Sequence, residues 1–199
     1  MRNRTAVRIS ALAIDAGRES LWQQNMPNVR IGSVTSQLGS NLLASGLNAE
    51  MVVAEGAEWL EQNRHRKIDG VLVDAPCTST GTIRRHPDIG WLRHESDIAP
   101  LVTVQKRLVQ GAVAALKPGG TLVYCTCSLE PEEGEQAIAE LLASESAIER
   151  LPIKPNEVAG LSEILTSDGD LRTLPCHMPH QDPRLGGLDG FYVARLVKS

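Results

Sequence analysis

Apolar residues fall in two rhythms along this chain of 199 residues. Residues 68–73 and 120–125 are compact, β-branched runs of strand length. Each stops at a polar, reactive cluster: Asp74-Ala75-Pro76-Cys77 after the first and Thr126-Cys127-Ser128 after the second. Between them Leu101, Val104, Leu108, Ala112 and Ala115 recur at helical spacing, and Lys117-Pro118-Gly119-Gly120 ends that helix with a turn. Further strand-like runs lie at 6–14, 29–34, 50–54 and 191–197, the first two short enough to be ambiguous with helix. Helix-like stretches lie at 18–24, 36–45 and 57–63, with one more opening near Pro131 and presenting Ile138, Leu141 and Leu142 on one face. Strands alternating with helices predict an α/β fold with a parallel sheet covered on both faces. The turn-rich stretch before the last strand predicts an antiparallel edge hairpin at the C-terminus.

In such a sheet, ligands and chemistry collect outside the carboxyl ends of the strands. An aspartate and two cysteines at two strand ends therefore make a candidate active site by position. Residues 76–94 form a long polar stretch with little periodicity, a length at which loops tend to be functional or disordered.

Composition narrows the class. The length suits a single domain over 1–199 with a sizeable core. The net charge of −4 argues against a non-specific polyanion binder, while leaving room for a local basic patch. No apolar run approaches a membrane span, and no export signal follows the basic first residues, so a cytoplasmic protein is expected. Four cysteines in a chain of this length are then expected as free thiols. A zinc site built from Cys77, Cys125, Cys127, Cys176, His177 and His180 is disfavoured, because one Cys-x-Cys and a lone Cys-His lack paired ligands in both halves. No metal is expected.

The ordered motifs Asp74-Ala75-Pro76-Cys77, Gly81-Thr82-Ile83-Arg84-Arg85-His86-Pro87-Asp88, Leu116-Lys117-Pro118-Gly119-Gly120-Thr121, Tyr124-Cys125-Thr126-Cys127-Ser128 and Asp189-Gly190-Phe191-Tyr192 carry more. From about Asn41 to the C-terminus the chain resembles the Sun/Fmu (RsmB-like) family of RNA cytosine-5 methyltransferases. The resemblance implies a Rossmann-like methyltransferase fold, S-adenosylmethionine as cofactor, and an RNA substrate, ribosomal RNA foremost. It implies that Cys127 attacks carbon 6 of cytosine, that Cys77 assists release of the methylated product, and that Asp74 lies beside cofactor and base. It also places Glu55 near the adenine and sets Arg84, Arg85 and His86 beside the site as RNA contacts.

The chemistry asks for such residues. Carbon 5 of cytosine is unreactive until a thiolate adds to carbon 6, and a thiolate requires a lowered pKa or a nearby base. The target base must be single-stranded or flipped from its stack. The positive end of the helix near Pro131 would lower the Cys127 pKa, while Glu130, Glu132, Glu133 and Glu135 push it up. Cys125 reads as a small buried hydrophobe. Trp91 reads as packing against the core in preference to stacking on a base. Arg64 to Lys67 and Lys106-Arg107 divide evenly between a phosphate-binding rim and ordinary solvated charge.

The cofactor half departs from the family. No Gly-rich loop of the type Cys-Ala-Ala-Pro-Gly-Gly-Lys-Thr occurs, and Asp15-Ala16-Gly17 is the nearest stretch. Close backbone approach to a cofactor needs glycine. No acid follows Val34 for the ribose hydroxyls. Residues 1–40 thus read as divergent, and a counterpart of the family's usual N-terminal RNA-binding domain is not expected among them. Two readings stand: a methyltransferase with a rebuilt cofactor loop, or a catalytically silent relative that keeps RNA or partner binding. A subunit completed by another chain is a third.

Overall fold

The computed structural model describes residues 10–13, 54–182 and 185–199. The elements expected at 18–24, 29–34 and 36–45, with Asp15-Ala16-Gly17 and most of 50–54, lie outside these. Four helices and six strands bear on the site: β1 (Ser10–Ala13), α1 (Gly56–Asn63), β2 (Ile68–Asp74), α2 (Ile89–Leu92), α3 (Ile98–Ala115), β3 (Leu116–Thr126), α4 (Glu135–Ser144), β4 (Ile148–Arg150), β5 (Leu171–Thr173) and β6 (Phe191–Lys198).

The sheet runs β1-β2-β3-β6-β4, with β5 also paired to β6. β1, β2 and β3 are parallel, whereas β6 is antiparallel to β3, β4 and β5. The expected mostly parallel sheet with an antiparallel C-terminal hairpin is therefore present. The last strand is covered on its outer side by the short strands β4 and β5, which spares the sheet a long exposed edge.

The helix over 98–115 forms as its periodicity predicts, burying Leu108, Val109, Ala112, Val113 and Ala115. It stops where Leu116 turns extended ahead of Pro118, and Gly119 takes a φ of 75°, which favours glycine. Lys198 Nζ donates to the carbonyls of Val113 at 2.8 Å and Leu116 at 2.9 Å, satisfying acceptors that the helix end leaves open. α1 and α4 flank α3, and the three cover one face of the sheet. There Leu60, Leu108, Leu116, Leu122, Tyr124, Ile138, Tyr192 and Leu196 form a continuous buried core. Tyr124 and Tyr192 meet edge to face with centroids 6.4 Å apart. On the opposite face Leu72 is 37% exposed and Val123 and Val193 are half-buried, so the expected two-sided cover is met on one side among the described residues. No helix among the described residues is long and apolar enough to cross a membrane.

Candidate active site

Two adjacent strand ends make the site. The parallel register puts Asp74 beside Cys125, and Ala75 N–H extends the ladder by donating to the Cys125 carbonyl at 2.9 Å. Both chains then leave the sheet together, one as Pro76-Cys77-Thr78 and the other as Cys127-Ser128. This brings Cys77 Sγ within 3.5 Å of Cys127 Sγ, although the two lie fifty positions apart in sequence.

Three backbones brace the pair. Gly81 N–H donates to the Cys127 carbonyl at 3.0 Å, and Gly190 N–H donates to the Gly81 carbonyl at 2.7 Å. A Cβ on Gly81 would lie 1.9 Å from the Gly190 oxygen, so only glycine fits between Cys127 and the last strand's entry. Ser128 Oγ sits among Thr78 Oγ1, Thr80 Oγ1 and the Glu130 N–H at 3.0–3.3 Å. Arg172 grips Glu135 through two hydrogen bonds, donates to the Ser128 carbonyl at 2.6 Å and lies over the Tyr192 ring.

The two thiols are electrostatically unequal. The Cys77 thiol bonded to it lowers the Cys127 pKa against the opposing cost of burial, and the Ser79 hydroxyl lowers it further. The same bond, followed by burial and the Cys127 charge, pushes Cys77 up. The shifts are opposite, so the geometry biases the charge toward Cys127 and the proton toward Cys77. The lowering comes first from these neighbouring side chains, with a backbone hydrogen bond adding to it, and the helix expected near Pro131 begins later. Pro131–Glu133 is a single 3-10 turn, and the helix proper starts at Glu135. Cys125 is buried as expected, and burial, with the Asp74 charge next, pushes its thiol up to about 12.

Asp74 stands exposed at the carboxyl end of β2, and Cys125 Sγ is 3.7 Å from its Oδ1. Glu55 is half-buried and accepts from the Glu58 N–H at 2.7 Å, capping α1. An exposed strand-end carboxylate and a second one with an oxygen to spare suit the polar parts of a nucleoside cofactor. Among the described residues these fit it in part, since the stretch nearest to a Gly-rich loop lies outside them.

The basic residues separate by position. Arg84, Arg85 and His86 follow Cys77 and are exposed on the carboxyl side. Arg85 Nε donates to Asp189 Oδ2 at 2.5 Å, Arg84 Nε lies 3.8 Å from Oδ1, and Arg84 Nη1 donates to the Gly186 carbonyl at 3.0 Å. Arg64–Arg66 and Lys67 precede Ile68, so they sit at the amino end of β2, a strand length of roughly 20 Å from the thiols. Lys106 pairs with Glu140 on the outer surface of α3 and α4. Arg64 to Lys67 therefore do not join Arg84 and Arg85 in one rim. Trp91 also differs from the expectation: it is 84% exposed on α2, a helix of one turn with no buried residue against which it could pack. Cys176 is exposed, while His177 Nδ1 and His180 Nδ1 accept N–H bonds within their own turns.

The family description 16S rRNA methyltransferase RsmB/F matches residues 23–197. The chain belongs to this family. The match begins ahead of Asn41, so it takes in part of the stretch that reads as divergent. The ribosomal RNA small subunit methyltransferase B of Yersinia enterocolitica is 38% identical over 163 residues, which cover 82% of this chain and 34% of that protein. Among solved structures, PH0851 aligns with a TM-score of 0.66 at 27% identity, covering 82% of this chain and 34% of its own. A methyltransferase homolog protein from Pyrococcus horikoshii aligns with a TM-score of 0.60 at 32% identity, covering 83% and 50%. The chain spans about a third of the length of the curated relatives it matches.

Motif reading missed Glu133, Gln105 and Asp189. Glu133 sits in a run of acids that reads as the charged start of a helix, and Gln105 is one polar residue within an amphipathic helix. Asp189 opens a quoted motif, yet no sequence rule pairs it with arginines a hundred residues earlier.

Proposed function

We propose that this RsmB/F-family chain methylates carbon 5 of a cytosine in ribosomal RNA, acting as a single catalytic domain in the reducing cytoplasm. The observation that carries the reading is the Cys77–Cys127 contact at 3.5 Å, with the charge biased onto Cys127. The Cys127 thiolate adds to carbon 6, forming the Sγ–C6 bond and moving the ring electrons onto carbon 5. Asp74, at the neighbouring strand end, hydrogen-bonds the ring as its charge shifts. S-adenosylmethionine, when bound, would supply an electrophilic methyl group for carbon 5, its sulfonium sulfur leaving as a neutral thioether, and Asp74 and Glu55 are the described residues that would hold it. Once Cys127 is a thioether, its charge no longer keeps Cys77 protonated. Cys77 can then lose its proton to water, take the carbon 5 proton, and let the Sγ–C6 bond break with its electrons returning to Cys127. Arg84, Arg85 and His86 border the approach to Cys77 and would contact the RNA, which must present its cytosine single-stranded or flipped.

The test is transfer of labelled methyl to small-subunit ribosomal RNA. Cys127→Ala should abolish transfer, and Cys77→Ala should accumulate a protein–RNA adduct that survives denaturing electrophoresis. Undiminished turnover in Cys127→Ala would overturn the assignment. A second reading, a silent relative that keeps RNA or partner binding, is favoured by the lack of a Gly-rich loop. It predicts no heat of binding when the folded protein is titrated with S-adenosylmethionine.

A further inference from the structure

Glu133 is fully buried and has no part in the steps above. Three neutral donor groups converge on its carboxylate. Thr78 N–H lies 3.1 Å from each oxygen, Thr78 Oγ1 donates to Oε2 at 2.5 Å, and Gln105 Nε2 donates to Oε1 at 3.0 Å. The buried Gln105 also donates to the Pro76 carbonyl at 2.8 Å. The Tyr124 hydroxyl meets Gln105 Oε1 at 3.2 Å and donates to the Glu133 carbonyl at 2.8 Å. Pro76 and Thr78 are the two neighbours of Cys77, so this network holds the reactive turn from both sides.

The choice of residue is informative. Burying a carboxylate is costly unless it is fully hydrogen-bonded, and an apolar filler would serve stability at lower cost. Only a carboxylate offers acceptors alone, so it can take the Thr78 amide, the Thr78 hydroxyl and the Gln105 amide together. The turn it holds continues into Ser79, a non-glycine residue at a φ of 62°, whose hydroxyl donates to the Cys77 carbonyl at 3.5 Å and helps to lower the Cys127 pKa.

We propose that Glu133 is a positioning residue that locks the Cys77 turn, through Thr78 and Gln105, so that the Cys77 thiol faces the Cys127 thiol. This rests on the reading of the two cysteines given above. The charge of Glu133 adds to the effects of Cys127 and of burial in keeping Cys77 a thiol, the form that donates to Cys127. The groups facing the two sulfurs are Asp74 and Cys125 from the strand ends, Ser79 from the turn, and Glu133 from below.

The experiment is iodoacetamide labelling of the full chain across pH, with the modified cysteine identified by peptide mass spectrometry. It needs neither RNA nor cofactor, so a chain that fails to methylate can still pass it. In the parent protein Cys127 should label with a midpoint below the ordinary thiol value of about 8.5. In Glu133→Gln, which sets an NH2 group against the donors, the midpoint should rise toward that value, slowing labelling at neutral pH by roughly 10-fold. In a Cys77→Ala background Glu133→Gln should bring no further rise, because Glu133 acts through Cys77. Glu157→Gln, at the remote pair with Arg195, should leave the midpoint in place. An unchanged midpoint in folded Glu133→Gln, or a further rise without Cys77, overturns the proposal. If Glu133→Gln does not fold, Thr78→Val decides by the same criterion, since it removes one hydroxyl and keeps the carboxylate.

Discussion

The sulfurs of Cys77 and Cys127 lie 3.5 Å apart, yet their protons are held unequally, Cys127 acidified and Cys77 made more basic by the same hydrogen bond. Two thiols that close cannot both ionise, so each controls the other. Removing Cys77 should therefore make Cys127 less acidic. Cys77→Ala should shift the pH midpoint of Cys127 alkylation upward, leaving less thiolate at neutral pH. A midpoint unmoved by Cys77→Ala would assign the acidification to Ser79 and the backbone hydrogen bond at Cys127.

Cys125 offers the contrasting case. Its thiol is buried and pushed up to about 12, so it should resist alkylation at pH 8 while the protein is folded and react on addition of denaturant. Peptide mapping before and after unfolding checks this.

Gly81→Ala should be among the most damaging small substitutions. The added methyl group meets the Gly190 carbonyl and comes within 2.8 Å of the Cys127 carbonyl, so the bridge between the thiol loop and the last strand must open. Overpacking of this kind costs about 3 kcal/mol, and a lowered urea midpoint should report it. Alkylation of Cys127 should lose its acid midpoint in the same variant.

Asp189 offsets part of the charge of Arg84 and Arg85. If the two arginines contact RNA phosphates, they should count together as about one charge rather than two. Replacing both by Ala should reduce the slope of log affinity against log salt by about 1, read by fluorescence anisotropy with a single-stranded RNA. A change near 2 would mean that RNA draws both arginines away from Asp189.

Glu135 carries a pH dependence of stability. Burial raises its pKa, but the Arg172 guanidinium outweighs that and leaves the carboxyl below its ordinary value. A depressed folded pKa stabilises above the unfolded value of about 4.3 and loses that stabilisation as pH falls below it. Arg172→Leu should flatten this acid limb in thermal melts between about pH 5 and 3. It should also free the Ser128 carbonyl.

Much of the fold was legible in the residues because its signals are local. The β-branched runs at 68–73 and 120–125 and the apolar repeat over 101–115 each act through neighbours in sequence and form where they are expected, whereas Lys117-Pro118-Gly119-Gly120, expected as a turn, falls inside the start of β3 at a shift in its register with β2. Strand ends and motif order placed Cys77, Cys127 and Asp74 on one edge of the sheet. The fate of charged and aromatic side chains was not local. Arg64–Arg66 fell at the wrong end of β2, Trp91 turned to solvent, and Arg84 and Arg85 met Asp189 across a hundred residues. Glu133 turned inward from a run of acids because its partners, Thr78 and Gln105, arrive from two other elements. The sequence by itself determined which residues were available for chemistry and at which strand ends they would stand. Only the tertiary structure decided that the thiols touch, which of them holds the proton, and which carboxylate holds the turn. Burial and hydrogen-bond partners set protonation, and both are properties of the assembled sheet rather than of any segment.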